Sequence, residues 1–161
     1  KNSIRQIDGV FDDIEHAVMG RKMTLDDIEH ETLRKDFNEP RIHITLVCAA
    51  MSCPRLLDEP FVGRKLEEQF KVQARDFVRQ KDNFRIDRRD GEVYISSIFK
   101  WFGEDFIPTH GTKEHFQHTS RKKGAVLNYL KDHVSERDRR YLLGSDYDVS
   151  YIDYDWSLNE Q

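Results

Sequence analysis

The chain has 161 residues, of which 37% are hydrophobic and 35% charged, with a net charge of -4. This length suits one domain that folds without added disulfides or metals, and ten Phe, six Tyr and two Trp supply apolar anchors that argue against disorder. The weak negative charge gives no reason to expect nucleic acid, and no apolar run reaches the length of a membrane span.

The first part of the chain predicts two helices. Residues 4–19 place apolar side chains three and four positions apart, which is typical of an amphipathic helix or of a helix broken once at Gly9. A second helix is predicted over residues 24–34. Thr24 can cap it together with Asp27, three residues later, in a close relative of the capping box.

This second helix also carries the first titratable residues of interest. His30 lies one helical turn after Asp26, so the two side chains can meet. Glu29 diverges from His30 by about 100° around the helix. If His30 points into a site, the spacing predicts Asp26 as its nearest local carboxylate.

The most strand-like run covers residues 41–48, and its few charges indicate an inner strand covered on both faces. Five residues of regular strand would separate His43 from Cys48 by about 16 Å, on opposite faces. The spacing therefore favours His30 as the partner of Cys48. His43 could instead meet Cys53 if the following loop turns back.

The rest of the chain alternates helical and strand patterns. We predict helices over residues 62–80, 97–106, 124–134 and 135–144, a hairpin over 84–96 and a strand near the C-terminus. Together these elements predict an α+β fold in a single compact domain, residues 1–161. Its sheet would be small and mainly antiparallel, with the inner strand 41–48, the hairpin 84–96 and the C-terminal strand, packed by about five helices.

Several short blocks occur in a distinctive order: 25–30 (LDDIEH), 40–43 (PRIH), 47–50 (VCAA), 52–54 (SCP), 98–102 (IFKWF), 104–106 (EDF) and 154–159 (YDWSLN). With these blocks the chain resembles the family called domain of unknown function 547 over almost its whole length. That family has no settled activity. Its suggested similarity to papain-like or transglutaminase-like thiol enzymes implies thiol chemistry by analogy of fold alone.

The resemblance also bears on what precedes Lys1. Members of the family usually carry a further helical segment upstream, and the sequence lacks that segment. We expect a processed or truncated product, in which any site completed by the upstream segment is incomplete. Its location is open: cytoplasmic, or secreted or periplasmic after removal of an N-terminal segment.

The first functional hypothesis is a thiol-dependent hydrolase, similar to a peptidase or amidase, or an acyl transferase. Such an enzyme needs a thiolate, a base that generates it and a group that orients the base, and it needs no cofactor. The candidate catalytic residues are Cys48, His30, Glu29, Asp26, Cys53 and His43.

The alternative is a non-catalytic protein-interaction domain that binds an unidentified peptide or protein partner. Cys48 and Cys53 would then be structural, either as a local disulfide that contributes about 2 kcal/mol or as two buried thiols. A zinc site made by the two cysteines with His30 and His43 matches no familiar ligand spacing, so we expect no metal.

Overall fold

The computed structural model describes residues 2–159 and confirms the predicted α+β architecture. A two-stranded hairpin lies near the start of the chain, and a separate three-stranded sheet packs with the helices. The ends of the predicted domain, at residues 1 and 160–161, lie outside the described residues. No helix within residues 2–159 has the length and apolar character needed to cross a membrane.

The predicted helix over residues 4–19 is wrong. Ile4–Gln6 forms one 3-10 turn, and strands β1 (His16–Val18) and β2 (Arg21–Met23) pair as an antiparallel hairpin. Gly9 has a φ of 65°, in the left-handed region that favours glycine. Its carbonyl oxygen accepts hydrogen bonds from two backbone N–H groups, four and five residues later. This tight turn interrupts the apolar pattern that resembled a helix.

The next helical segment, residues 25–37, carries part of the site. It contains a π-helical stretch, Asp27–Arg34, followed by the single α-helical turn α1 (Lys35–Phe37). The predicted cap is confirmed: the Thr24 N–H donates to the Asp27 carboxylate at 3.0 Å, and the Asp27 N–H donates to the Thr24 hydroxyl at 3.1 Å. These two bonds satisfy backbone donors that the first helical turn leaves free.

The predicted inner strand over residues 41–48 is also wrong. Pro40–Ile44 forms a 3-10 helix, and the following residues continue as a loop. Pro40 has the fixed φ that suits the first helical position, and the Glu39 carboxylate accepts a hydrogen bond from the Arg41 backbone N–H at 3.0 Å. Four of the five residues in this turn are buried, which explains the continuous apolar run without a strand.

The hairpin predicted over residues 84–96 is present. Strands β3 (Phe84–Asp87) and β4 (Glu92–Ser96) pair antiparallel, and Gly91 takes a φ of 65° in the connecting turn. The predicted C-terminal strand, β5 (Asp148–Ile152), pairs parallel to β4. The three-stranded sheet is therefore mixed, in the order β3-β4-β5.

The remaining helices pack around this sheet. They are α2 (Leu66–Arg79), α3 (Ile98–Phe102), α4 (Ile107–His110), α5 (Arg121–Leu130) and α6 (Glu136–Gly144), with 3-10 turns at Gly63–Lys65 and Gly103–Phe106. The core between them includes Phe77, Val93, Ile95, Phe99, Phe106, Leu127 and Leu130. Because α3 starts two residues after β4 ends, the sheet and core together fix its position beside the site described next.

Candidate functional site

A cavity of about 350 Å³ lies beside the π-helical stretch and holds most of the predicted site residues. Five of the six line it: Asp26, Glu29, His43, Cys48 and Cys53. His30 does not. The rest of the wall is apolar or aromatic and consists of Phe11, Leu25, Ile28, Leu46, Val47, Pro54, Ile98, Trp101, Phe102, Tyr154 and Trp156.

Cys48 and Cys53 form a disulfide, with 6.1 Å between their Cα atoms. Cys53 is buried, and its sulfur accepts a hydrogen bond from the Cys48 backbone N–H at 2.9 Å. The Tyr154 hydroxyl lies 3.3 Å from each sulfur. The part of the chain that the structure describes holds no free cysteine. Neither candidate nucleophile is a thiol in this state.

His43 is fixed within the wall of the cavity. Its side chain is 1% exposed, and its ring stacks on Phe102 with 4.2 Å between the ring centroids. His43 Nε2 lies 2.8 Å from Asp105 Oδ2. Because a carboxylate only accepts hydrogen bonds, the contact with Asp105 places a proton on Nε2. In the tautomer that carries its single proton there, Nδ1 has a free lone pair. Nδ1 has no hydrogen-bond partner, and Glu29 Oε1 lies 3.7 Å from it.

The separation predicted between His43 and Cys48 does not apply, because it assumed a regular strand. A 3-10 helix rises only about 2 Å per residue, and the chain turns after Ile44. His43 and both cysteines consequently line one cavity.

Asp105 is held by Arg34 as well as by His43. Arg34 donates two hydrogen bonds to the carboxylate, from Nε to Oδ2 at 2.8 Å and from Nη2 to Oδ1 at 3.1 Å. Burial raises the pKa of the Asp105 carboxyl, but the hydrogen bonds from Arg34 and His43 outweigh burial and hold this pKa below its ordinary value. Asp105 is therefore ionised at neutral pH and orients the imidazole.

His30 lies outside this arrangement. Its Nε2 is 3.9 Å from Asp26 Oδ1, and its Nδ1 is 3.2 Å from Arg34 Nη1. Glu29 diverges from it, as the helical spacing predicts, and points toward His43. His43 thus shares the cavity with the sulfurs, whereas the predicted base His30 does not line it.

Three aromatic side chains form one side of the cavity. The ring centroids of Trp101 and Tyr154 are 5.0 Å apart, and those of Tyr154 and Trp156 are 4.5 Å apart. Burial raises the pKa of the Tyr154 hydroxyl to about 12, so it stays protonated at neutral pH. Trp101 remains 45% exposed, which leaves aromatic surface accessible to a ligand.

The C-terminal tail holds the disulfide loop in place. The Met51 N–H donates to the Ser157 carbonyl oxygen at 2.9 Å, and the Asp155 N–H donates to the Ser52 hydroxyl at 2.9 Å. These bonds join two segments that lie more than 100 residues apart in the sequence. The tail that supplies Tyr154 is thereby fixed against the loop that supplies both cysteines.

Asp105, Trp101 and Tyr154 were not among the predicted catalytic residues. All three lie in blocks that carried the family resemblance, at 98–102, 104–106 and 154–159. The sequence signal that could have marked Asp105 as a site residue was its acidic side chain within such a block. Within residues 2–159, no group of three or more His, Cys, Asp or Glu side chains is arranged to hold a metal ion.

The family described as "Protein of unknown function, DUF547" matches residues 2–78. Over these residues the chain is similar to the DUF547 family. The match covers a little under half of the sequence, whereas the resemblance suggested almost all of it. No curated protein and no solved structure matches the chain.

The DUF547 match ends within the set of residues that build the cavity. The matched part supplies both cysteines, His43 and the two carboxylates of the wall. The residues after 78 supply Asp105 and the aromatic side, Trp101, Tyr154 and Trp156. The site is therefore built from both parts of the chain.

Proposed function

We propose that this domain is a non-catalytic binding module whose aromatic cavity receives part of a peptide or protein partner. The observation that carries the proposal is the Cys48–Cys53 disulfide, which occupies both candidate nucleophiles and forms part of the cavity wall. In this state the two sulfurs brace a binding surface and cannot supply a thiolate.

The cavity has the properties of a recognition site. Its volume of about 350 Å³ lies near the lower end of the range for ligand pockets, so it suits one or two side chains. Trp and Tyr are the residues that most often contribute large binding energies at interfaces, and Trp101 and Tyr154 face this space together. The disulfide and the bound tail keep the wall ordered, which lowers the entropic cost of binding.

Selection of a displayed peptide library against the oxidised protein tests this proposal. We expect the selected peptides to bind wild type and to lose at least about tenfold in affinity for Trp101→Ala, because the exposed ring is an anchor. Leu143→Ala is the matched control, since Leu143 is an exposed apolar residue that does not line the cavity. The proposal fails if no selected peptide depends on Trp101.

A second function is favoured by the geometry around His43. After reduction of the disulfide, the cavity would hold a cysteine thiol, His43 as a candidate base and Asp105 as its orienting group, which are the residue types of a thiol-dependent hydrolase or acyl transferase. The unpartnered Nδ1 is the atom that would take the thiol proton. This candidate replaces His30 with His43 as the base.

Iodoacetamide labelling separates the two functions. For the binding module we expect no labelling of the unreduced protein. After reduction we expect labelling no faster at pH 6 than for a thiol with a pKa of about 8.5, with no effect of His43→Gln. Fast labelling at pH 6 that His43→Gln slows more than His30→Gln would instead support the enzyme. Circular dichroism of each variant controls for loss of folding.

A further inference from the structure

Two hydrogen-bond acceptors face each other in the cavity with no donor between them. With the ring proton on Nε2, His43 Nδ1 is an acceptor without a partner, and the His43 side chain is 1% exposed. Glu29 Oε1 lies 3.7 Å away, which is too far for a hydrogen bond between these two atoms. Leaving a buried acceptor without a partner is unfavourable, so this pair is suited to a donor brought by a ligand.

The charge of the wall indicates the sign of that ligand. The charged side chains that line the cavity are the carboxylates of Asp26 and Glu29, and no Lys or Arg within residues 2–159 lines it. The nearby Arg34 is committed to Asp105 by two hydrogen bonds. Arg5 lies outside the cavity with its guanidinium carbon 5.0 Å from the Trp156 ring centroid, so that ring already stacks on a cation.

The aromatic side indicates the shape of the ligand. Trp101 and Tyr154 line the same cavity as the two acceptors, and aromatic rings attract cations as well as hydrocarbon chains. Lysine has a four-carbon stem and a compact ammonium with three N–H donors. One ammonium nitrogen can therefore donate to both acceptors while the stem lies along the rings.

We infer, on the basis of the proposed binding function, that the cavity takes a lysine side chain of the partner peptide, whose ammonium bridges Glu29 Oε1 and His43 Nδ1 from the side of the cavity. The net charge of -4 agrees with a basic partner segment.

Tryptophan fluorescence measures this binding directly, because the chain has two Trp residues and both line the cavity. The probes are acetyl-Leu-X-Leu-amide peptides in which X is lysine, Nε-acetyl-lysine or norleucine. We expect the lysine peptide to bind at least about tenfold more tightly than the other two, which keep the stem but lose the charge. This comparison uses only the wild-type protein and so does not depend on the folding of any variant.

Two protein variants locate the ammonium. Glu29→Gln should weaken binding of the lysine peptide about tenfold and leave norleucine binding unchanged. Glu31→Gln should change neither, because Glu31 is an exposed carboxylate on the same helical segment, paired with Lys35 and outside the cavity.

The outcomes distinguish this inference from the binding function. If the lysine and norleucine peptides bind equally, or if the library yields Trp101-dependent peptides without lysine, the inference is overturned and the binding module stands. If no library peptide depends on Trp101, both are overturned.

Discussion

Phe99→Ala is expected to lower the free energy of unfolding by about 3–5 kcal/mol. Phe99 is fully buried, and its ring contacts Phe77 and Phe106 edge to face, with centroids 5.7 Å and 5.6 Å away. Truncation removes these contacts and leaves a void that a close-packed core fills only partly. Because Phe99 belongs to α3, which also carries Trp101, the loss should loosen the aromatic side of the cavity as well.

Urea denaturation followed by circular dichroism measures this effect. The matched control is Phe37→Ala, since Phe37 is 68% exposed and its loss should change stability by no more than about 0.5 kcal/mol. Equal effects of the two substitutions would contradict the description of Phe99 as a core residue.

Asp105→Ala is expected to cost about 3 kcal/mol at pH 7. The substitution leaves Arg34 without its paired carboxylate and leaves the buried His43 Nε2–H without an acceptor. The side chains of Arg34 and Asp105 are 32% and 27% exposed, so water screens part of the loss and keeps it below that of a fully buried pair. Asp76→Ala, which removes an exposed ion pair with Arg79, should cost no more than about 0.5 kcal/mol.

The effect of Asp105 should also depend on pH. Its pKa is lower in the folded protein than in the unfolded chain, so its contribution is present above the unfolded value of about 3.9 and is lost as pH falls through the folded value. The difference in unfolding free energy between wild type and Asp105→Asn should therefore shrink below about pH 4. A constant difference from pH 7 to pH 3 would contradict the hydrogen-bonded, ionised state of Asp105.

Local signals in the sequence predicted much of the fold. The reciprocal cap at Thr24 and the hairpin over 84–96 follow from residues a few positions apart, and both are present. The strand over residues 41–48 was wrong because a buried 3-10 turn and a buried strand produce the same apolar run. Pro40 and the capping carboxylate of Glu39 favour the 3-10 turn over the strand.

The candidate site was less predictable because its contacts are distant in the sequence. The hydrogen bond between His43 and Asp105 spans 62 residues, and no spacing rule connects such positions. Periodicity placed Asp26 beside His30 and turned Glu29 away from it, as the structure has them. It could not show that His43 and both cysteines line one cavity, since that depends on how the loop after residue 44 folds back.

The fixed tail also has a consequence for protein synthesis. Tyr154 lies 106 residues after Cys48 in the sequence. Residues 2–78, which contain both cysteines, are therefore synthesised before the tyrosine that contacts their sulfurs. Until then, neither sulfur is shielded by the tyrosine ring. The two thiols are therefore accessible to oxidants and reductants around the emerging chain before the tail docks against them.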